Sequence, residues 1–191
     1  MQEINSFLKI QKDKRLTNEK DIKNFYNKVI SIIDRLKYFF VGSIVDVGCG
    51  HGYSTLYLQE KGFNVCGIDA IDFRIENAKK MGAKAEIGMM ENLPFKDKEK
   101  DTGFYSHVLE HAFDFEKAVA EAKRVFKRLI IIVPIEKEHI HECHTSRIEN
   151  ENIIKNKFQG RILYEDKWNR FNWKDKKGNI VFEYVYVVDL Y

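Results

Sequence analysis

The feature that most constrains the fold is a glycine-rich loop between an apolar run and a helical segment. The run Ser43–Val47 is typical of a buried strand that carries one acid, Asp46, and glycines follow it at positions 48, 50 and 52. Glycine allows positive φ angles and removes the Cβ atom where a ligand must approach the backbone. A helix that begins just after such a loop points its backbone N–H groups toward that ligand. The pattern therefore predicts a strand, loop and helix that bind a nucleotide-like molecule.

Short apolar runs alternate with helical segments along the middle of the chain. An amphipathic helix is predicted over residues 18–40, because apolar side chains recur there at i, i+3 and i+4. The predicted strands are 43–47, 64–68, 83–87, 102–106 and 128–133, and the predicted helices between them are 54–61, 72–80 and 116–126. Continuous apolar strands that alternate with helices favour a parallel sheet covered on both faces. We therefore expect an α/β sandwich of three layers.

The last part of the chain has a different pattern. The runs Arg161–Glu165 and Ile180–Leu190 are rich in β-branched and aromatic residues, and Lys176–Asn179 is typical of a turn before the second run. This predicts an antiparallel hairpin at one edge of a mostly parallel, seven-stranded sheet. A helix is predicted at 145–157, with Thr145 as its N-cap. The whole chain, 1–191, is predicted as one domain: a helical lid (1–41), a ligand-binding core (42–157) and closing strands (158–191).

Composition narrows the class of protein. Of 191 residues, 44% are hydrophobic, which is enough for one core. The 32 Lys and Arg nearly balance the 29 Asp and Glu, so net charge does not indicate nucleic-acid binding. Three cysteines are too few and too irregular for a disulfide framework, which favours a reducing cytoplasm. Neither a signal peptide nor an apolar run of about 20 residues is apparent, so we expect no membrane partner.

Two acidic residues indicate which ligand the loop binds. Asp69 ends the second strand 23 positions after Asp46, close to the ~20-residue spacing at which a carboxylate reaches a ribose. N-capping of the next helix is the alternative role for Asp69. Asp46 would repel a diphosphate, whereas it suits a ligand with an amino group. S-adenosylmethionine has a ribose, an ammonium and a sulfonium but no phosphate, so we prefer it to a nicotinamide cofactor.

Five strings, in this order and spacing, resemble a known family. VDVGCGHG, CGIDA, ENLPF, YSHVLEH and IIIVP together resemble the class I S-adenosylmethionine-dependent methyltransferases of the small-molecule type, over residues 42–157. The resemblance implies a Rossmann-like fold and S-adenosylmethionine as cofactor. It implies that ten residues contact the methionine portion, the ribose, the adenine or the methyl end of this cofactor. These residues are Asp46, Gly48, Cys49, Gly50, Asp69, Ala70, Met90, Glu91, Ser106 and His107. Met89 stands where many members have an aspartate that binds the adenine amino group.

Histidines cluster in two segments that follow strand ends, the edge at which α/β sheets bind ligands. The first segment contains His107, Glu110 and His111 as HxxEH, and the second is EHIHECH. Three interpretations stay open. In one, these residues cap helices or lie on the surface. In the second, a histidine acts as general base in methyl transfer, with His107, His111 and His141 as candidates.

The third interpretation of the histidines is a divalent metal. HxxEH resembles the ExxEH metal pattern of ubiquinone-pathway O-methyltransferases and small-RNA 2′-O-methyltransferases, with His107 in place of the first glutamate. The ligands would then be His107, Glu110, His111 and either His139 or His141. So many imidazoles favour zinc or iron over magnesium. We do not favour a metal and predict no resident ion.

The function predicted from the sequence is methyl transfer from S-adenosylmethionine to an oxygen or nitrogen atom. A small-molecule acceptor is preferred and RNA is an alternative partner, while the oligomeric state is left open. Two other functions stay open: a non-catalytic cofactor-binding scaffold subunit and a metal-assisted RNA 2′-O-methyltransferase. On the N-terminal helix, Phe25 and Tyr26 could reach the site. Trp168, Phe171 and Trp173 could form an aromatic platform, although packing between strands is the expected role.

Overall fold

The computed structural model describes residues 19–136, 143–169, 172–175 and 177–191. The helices are α1 (Glu19–Leu36), α2 (Tyr53–Glu60), α3 (Asp72–Lys80), α4 (Phe115–Val125) and α5 (Glu151–Lys157), with 3₁₀ turns at Lys37–Phe39 and Leu109–His111. The strands are β1 (Ser43–Val47), β2 (Asn64–Asp69), β3 (Ala85–Ile87), β4 (Lys100–Ser106), β5 (Phe126–Ile135), β6 (Gly160–Trp168) and β7 (Phe182–Leu190). Within these residues, no helix combines the length and apolar character that crossing a bilayer requires.

The strands of the described chain form one seven-stranded sheet in the order β3-β2-β1-β4-β5-β7-β6. Strands β1 to β5 pair in parallel, and β7 runs antiparallel between β5 and β6. The predicted fold class is confirmed, including the antiparallel strands at the C-terminal edge. The chain leaves β1 toward β2 on one side and returns to β4 on the other. This reversal opens a crevice at the carboxyl ends of β1 and β4, where such sheets bind ligands.

The two faces of the sheet carry separate apolar cores. Along β5, Leu129 and Ile131 pack in one core with Ala122 of α4, whereas Ile130 and Ile132 pack in the other core. This alternation is the two-residue period of a strand that is covered on both sides. The core on the second face also contains the apolar residues of α1, which are Tyr26, Val29, Ile32, Ile33 and Leu36. Much of the predicted lid helix is therefore a layer of the sandwich, and its residues Phe25, Tyr26 and Val29 line the crevice.

The helix predicted at 145–157 is wrong in its start. Helix α5 begins at Glu151, and Asn150 rather than Thr145 caps it, by accepting a hydrogen bond from the Asn152 N–H at 3.0 Å. The Thr145 hydroxyl instead donates to the Ala112 carbonyl at 2.6 Å. The Thr145 side chain therefore makes a tertiary hydrogen bond instead of the helix cap that local preference predicted.

The connection between β6 and β7 is longer than the predicted turn. Strand β6 runs to Trp168, and the chain then forms a loop in which the Val181 N–H donates to the Trp173 carbonyl at 2.9 Å. Lys174 and Ile180 form an isolated antiparallel bridge in the same loop. The loop brings the Trp173 side chain to the crevice at the end of β4.

Candidate functional site

A cavity of about 350 Å³ lies at the carboxyl ends of β1, β2 and β4. Most of the residues predicted to bind or act on the ligand line it. These are Asp46, Gly48, Gly50, Asp69, Ala70, Met90, Glu91, Ser106, His107 and His111. The carboxyl ends of β1, β2 and β4 therefore bring together side chains that lie more than sixty positions apart in the sequence.

The glycine loop between β1 and α2 takes a backbone course that other residues rarely adopt. Gly48, Gly50 and Gly52 have φ angles of +73°, +56° and +81°. A Cβ atom at Gly48 would come within 2.1 Å of the Val108 side chain. The Gly48 N–H donates to the Ile68 carbonyl at 2.7 Å. The loop is thus tied to β2, with its backbone against the cavity.

Asp46 lies at the end of β1 and is 2% exposed. One carboxylate oxygen accepts hydrogen bonds from the hydroxyls of Ser54 at 2.6 Å and Thr55 at 2.7 Å, both at the start of α2. Burial raises the pKa of the Asp46 carboxyl to about 6, in spite of these two donors. A cationic group in the cavity would stabilise the ionised form, which agrees with the predicted preference for an amino group.

Asp69 ends β2, and its carboxylate contacts both the start of α3 and the glycine loop. One oxygen accepts from the Ile71 N–H at 2.9 Å and so helps to start α3, while the other accepts from the Gly50 N–H at 2.9 Å. An Arg74 nitrogen lies 3.9 Å from the latter oxygen. A carboxylate accepts about four hydrogen bonds, so this cavity-lining group keeps capacity for ligand hydroxyls.

Met90 and Glu91 follow β3 on the opposite wall. Glu91 is buried, and one oxygen accepts from the N–H groups of Phe113 at 2.7 Å and Asp114 at 3.3 Å. This carboxylate therefore fixes the chain just before α4 as well as lining the cavity. Met89 and Met90 are half-buried on the same wall, where they offer polarisable apolar contact to a flat ring.

Cys49 differs from the other predicted ligand residues, because its side chain does not line the cavity. It is 1% exposed and packs behind the loop with Ile75 and Ala78. Burial raises the pKa of its thiol well above the ordinary value, so the group is inert. Its carbonyl accepts a hydrogen bond from the Tyr26 hydroxyl at 3.4 Å. The candidate base His141 lies outside the described residues.

Ser106 is the last residue of β4 and His107 follows it, and both residues line the cavity. The Ser106 hydroxyl oxygen is buried and has no hydrogen-bond partner among the described residues. His107 has a φ of +53°, a left-handed conformation that costs a residue other than glycine free energy. Its side chain is only 2% exposed, and Nδ1 lies 3.8 Å from a Glu110 oxygen.

Aromatic side chains enclose the imidazole of His107. The ring centroids of Phe25 and Trp173 lie 6.0 Å and 5.1 Å from that of His107, both edge to face. Phe25 comes from α1 and Trp173 from the loop between β6 and β7. The aromatic segment at 168–173 is thus divided: Trp173 reaches the cavity, Trp168 is buried in the core on the α1 side, and Phe171 lies outside the described residues.

The alternative metal set indicated by HxxEH shares only His111 with the group that the structure brings together. Among the described residues, the group that could hold an ion is His111, Cys143 and His144, whose donor atoms lie within 4.8 Å of one another. The predicted ligand His139 lies outside the described residues. The prediction missed Cys143 and His144 because only the folded loop brings them to the 3₁₀ turn that carries His111.

Other cavity residues gave weaker signals or none in the sequence. Tyr26 was a candidate, and its hydroxyl accepts from the His51 N–H at 3.3 Å while donating to the glycine loop. His51 stands in the string VDVGCGHG without a predicted role, and Arg74 belongs to no motif; both line the cavity. Burial and the nearby Arg74 cation lower the pKa of His51, although the Asp69 carboxylate opposes this. These side chains follow the loop and α3, so their positions depend on the fold rather than on a pattern.

The sequence of the central region matches known proteins. Residues 45–132 match the family model described as "Methyltransferase domain". The S-adenosyl-L-methionine-dependent Diels-Alderase iccD of Talaromyces variabilis is 36% identical over 94 residues, 44% of this chain and 32% of that protein. The malonyl-[acyl-carrier protein] O-methyltransferase of Hamiltonella defensa is 30% identical over 84 residues, 43% of this chain and 33% of that protein. The chain spans 32–40% of the length of the curated relatives it matches.

Solved structures share the fold at low sequence identity. A S-adenosylmethionine-dependent methyltransferase from Thermotoga maritima, described as a possible histamine N-methyltransferase, has a TM-score of 0.64 at 17% identity and covers 85% of this chain and 88% of its own. The [4+2]-cyclase SpnF has a TM-score of 0.70 at 13% identity and covers 84% of this chain and 81% of its own. Residues 45–132 therefore resemble a methyltransferase domain, and the chain shares the Rossmann-like fold of these solved structures.

Proposed function

We propose that the protein transfers the methyl group of S-adenosylmethionine to an oxygen or nitrogen atom of a small-molecule acceptor. The observation that carries the proposal is a pair of buried carboxylates, Asp46 and Asp69, at neighbouring strand ends of one cavity. A volume of about 350 Å³ suits a ligand of nucleoside size.

The cavity residues fit the cofactor by their chemistry. Asp46 would attract the amino group, since a cation offsets the cost of ionising a buried carboxyl. Asp69 would accept hydrogen bonds from the ribose hydroxyls, and Met90 would pack on the adenine. The buried Ser106 hydroxyl, which has no partner among the described residues, would gain one from the ligand.

The acceptor would lie against His107. When bound, the cofactor supplies an electrophilic methyl group on a sulfonium. The acceptor loses a proton as it takes this methyl group, and the His107 imidazole is positioned to receive the proton. A Glu110 oxygen lies 3.8 Å from Nδ1 and would attract the positive charge that the ring gains. The enclosed site holds the reacting atoms in line, an effect that can lower a barrier by about 7–11 kcal/mol.

The walls around His107 favour a flat acceptor of low charge. Phe25 and Trp173 present aromatic surfaces at this end of the cavity. The near balance of charges gives little attraction for a phosphate backbone, so we prefer a small molecule to RNA. A cytoplasmic location is part of the proposal and rests on the sparse cysteines.

A second candidate function is a cyclisation that uses the cofactor without methyl transfer. The observation in its favour is the 36% identity over 94 residues to a protein named as a S-adenosyl-L-methionine-dependent Diels-Alderase. In this case the cofactor would shape the cavity and the acceptor would be rearranged beside it. Mass spectrometry of reaction mixtures distinguishes the two, because methyl transfer adds a methyl group and releases S-adenosylhomocysteine, whereas cyclisation does neither.

Calorimetric titration tests the cofactor assignment before any acceptor is known. We expect S-adenosylhomocysteine to bind the wild type, and Asp69→Asn to weaken binding by about tenfold or more, because one charged acceptor is lost. Asp97→Asn, at an exposed carboxylate that does not line the cavity, is the control and should bind as the wild type does. Tight NAD binding without any response to S-adenosylhomocysteine would overturn the proposal.

A further inference from the structure

We propose that His111, Cys143 and His144 bind a divalent metal ion of the zinc class beside the cofactor cavity. The three side chains come from two loops that follow β4 and β5, and their donor atoms lie within 4.8 Å of one another. Zinc bonds of about 2.0–2.3 Å place two ligands of one tetrahedral ion about 3.5 Å apart. Side-chain movements of the order of 1 Å therefore complete the group.

Hydrogen bonds orient both imidazoles as they do in metal centres. His111 Nδ1 lies 2.9 Å from the Cys143 carbonyl oxygen, and His144 Nδ1 contacts the Glu136 carboxylate. With the proton on Nδ1, the lone pair of each ring is on Nε2, the atom that then coordinates. A histidine held by a carboxylate or a carbonyl in this way is the usual outer shell of a protein metal site.

Burial and charge also favour a cation at this place. Cys143 and His144 are each 3% exposed, and Glu136 is 1% exposed. A cation bound to His144 would place positive charge beside the buried Glu136 carboxylate, which contacts that ring. A divalent ion with one thiolate and two neutral imidazoles carries one net positive charge, which the Glu136 carboxylate balances. The centre as a whole would then be neutral.

The donor atoms select the class of metal. Two nitrogens and one sulfur suit zinc and similar borderline ions, whereas magnesium and calcium require oxygen ligands. This set differs from the one indicated by HxxEH, because Cys143 and His144 replace His107 and Glu110. His111 and Cys143 also line the cavity. If the proposed methyl transfer holds, an ion here would lie where it can bind and acidify the acceptor atom.

Metal analysis and cobalt spectroscopy test the site without any turnover. Protein made without a histidine tag should contain about one equivalent of zinc. After chelation, added Co²⁺ should give the near-ultraviolet charge-transfer band of a thiolate ligand. Cys143→Ser should lose this band, and Cys66→Ser, at a half-buried cysteine on β2, should keep it. Glu136→Gln should weaken metal binding by about 10–100-fold while the spectrum keeps its thiolate band.

Two outcomes would overturn the metal site. One is less than about a tenth of an equivalent of metal together with no thiolate band on Co²⁺ addition. The other is a band of the same intensity in Cys143→Ser. Each sample is also titrated with S-adenosylhomocysteine, which reports folding and cofactor binding. A sample that binds this ligand but no metal disproves the metal site alone, so the two proposals fail separately.

Discussion

Tyr26 on α1 and Gly50 in the glycine loop occupy complementary space: a Cβ atom on Gly50 would stand 2.1 Å from the Tyr26 hydroxyl oxygen. The same hydroxyl donates to the Cys49 carbonyl and accepts from the His51 N–H. Helix α1 therefore holds the loop in the shape that lines the cavity through one buried phenol. Burial raises the pKa of this phenol far above its ordinary value, so it stays a donor at all physiological pH values.

The first prediction is that Gly50→Ala lowers the free energy of unfolding by about 2–5 kcal/mol, from backbone strain plus overpacking. Gly62→Ala is the matched control. Its φ of +86° imposes similar strain, but its Cβ would meet nothing within 4 Å, so about 1–2 kcal/mol is expected. Chemical denaturation measures both variants.

A double variant isolates the contact between Tyr26 and Gly50. In Gly50→Ala with Tyr26→Phe, the clashing oxygen is absent and the nearest ring carbon lies 3.4 Å from the new Cβ. The double variant should therefore lose less stability than the sum of the two single changes. Simple additivity would contradict the steric explanation.

The second prediction concerns Asp46 and pH. Because burial raises its pKa to about 6, the carboxyl of the free protein takes up a proton as the pH falls through 6. Its attraction for the amino group of S-adenosylhomocysteine is then lost. We expect affinity to fall about tenfold between pH 7 and pH 5. Calorimetry at a series of pH values measures this. In Asp46→Asn the affinity should be lower and nearly independent of pH.

In the absence of ligand, the free energy of unfolding should change with pH in the opposite direction from the affinity: it should rise as the pH falls from 6 toward 4. The pKa of Asp46 is higher in the folded protein than the ordinary 3.8, so ionisation destabilises the fold by about 3 kcal/mol above pH 6. This cost disappears as the pH falls from 6 toward 4. Asp46→Asn should therefore be more stable than the wild type at pH 8, and the difference should shrink at pH 4. A constant difference across this range would show that burial does not govern this carboxyl.

The sequence predicted those parts of the site that lie on strand ends. Asp46, Asp69 and the glycines sit at positions that a parallel sheet forces to one edge, so a periodic pattern is enough to locate them. Thr145 was assigned to a helix cap by local preference, but a contact with the Ala112 carbonyl competes successfully for its hydroxyl. Residue preferences along the sequence cannot predict a contact between residues that are so far apart in the chain.

Residues on loops could not be located from the sequence in the same way. Trp173 reaches His107 only because the connection between β6 and β7 turns back to the crevice. The grouping of His111 with Cys143 and His144 depends on two loops that meet across more than thirty positions. The sequence indicated a cluster of histidines, but which of them lie close together in space depends on how the loops fold.

The third prediction is that Ser106→Ala does not destabilise the protein yet weakens ligand binding. The Ser106 hydroxyl is buried without a partner among the described residues, so its removal relieves a desolvation cost of about 1–3 kcal/mol. A ligand that supplies the missing hydrogen bond would bind more weakly to the variant. Thermal melting and calorimetry with S-adenosylhomocysteine measure the two effects. Ser31→Ala, at an exposed serine of α1, is the control; a Ser106→Ala variant that melts earlier and binds normally would contradict the prediction.

The fourth prediction separates the backbone conformation of His107 from the role of its imidazole as a proton acceptor. Asparagine tolerates the left-handed backbone that His107 adopts at φ +53°, so His107→Asn should keep the fold and the affinity for S-adenosylhomocysteine within about threefold. It lacks the basic ring nitrogen of the imidazole, so methyl transfer should slow by about 10²–10⁴-fold. The assay is S-adenosylhomocysteine release with an acceptor found by screening. His51→Asn, at a second histidine that lines the cavity, tests whether the loss of activity is specific to His107. If His107→Asn turns over at the wild-type rate with an unchanged pH profile, the proton is taken by another group or by water.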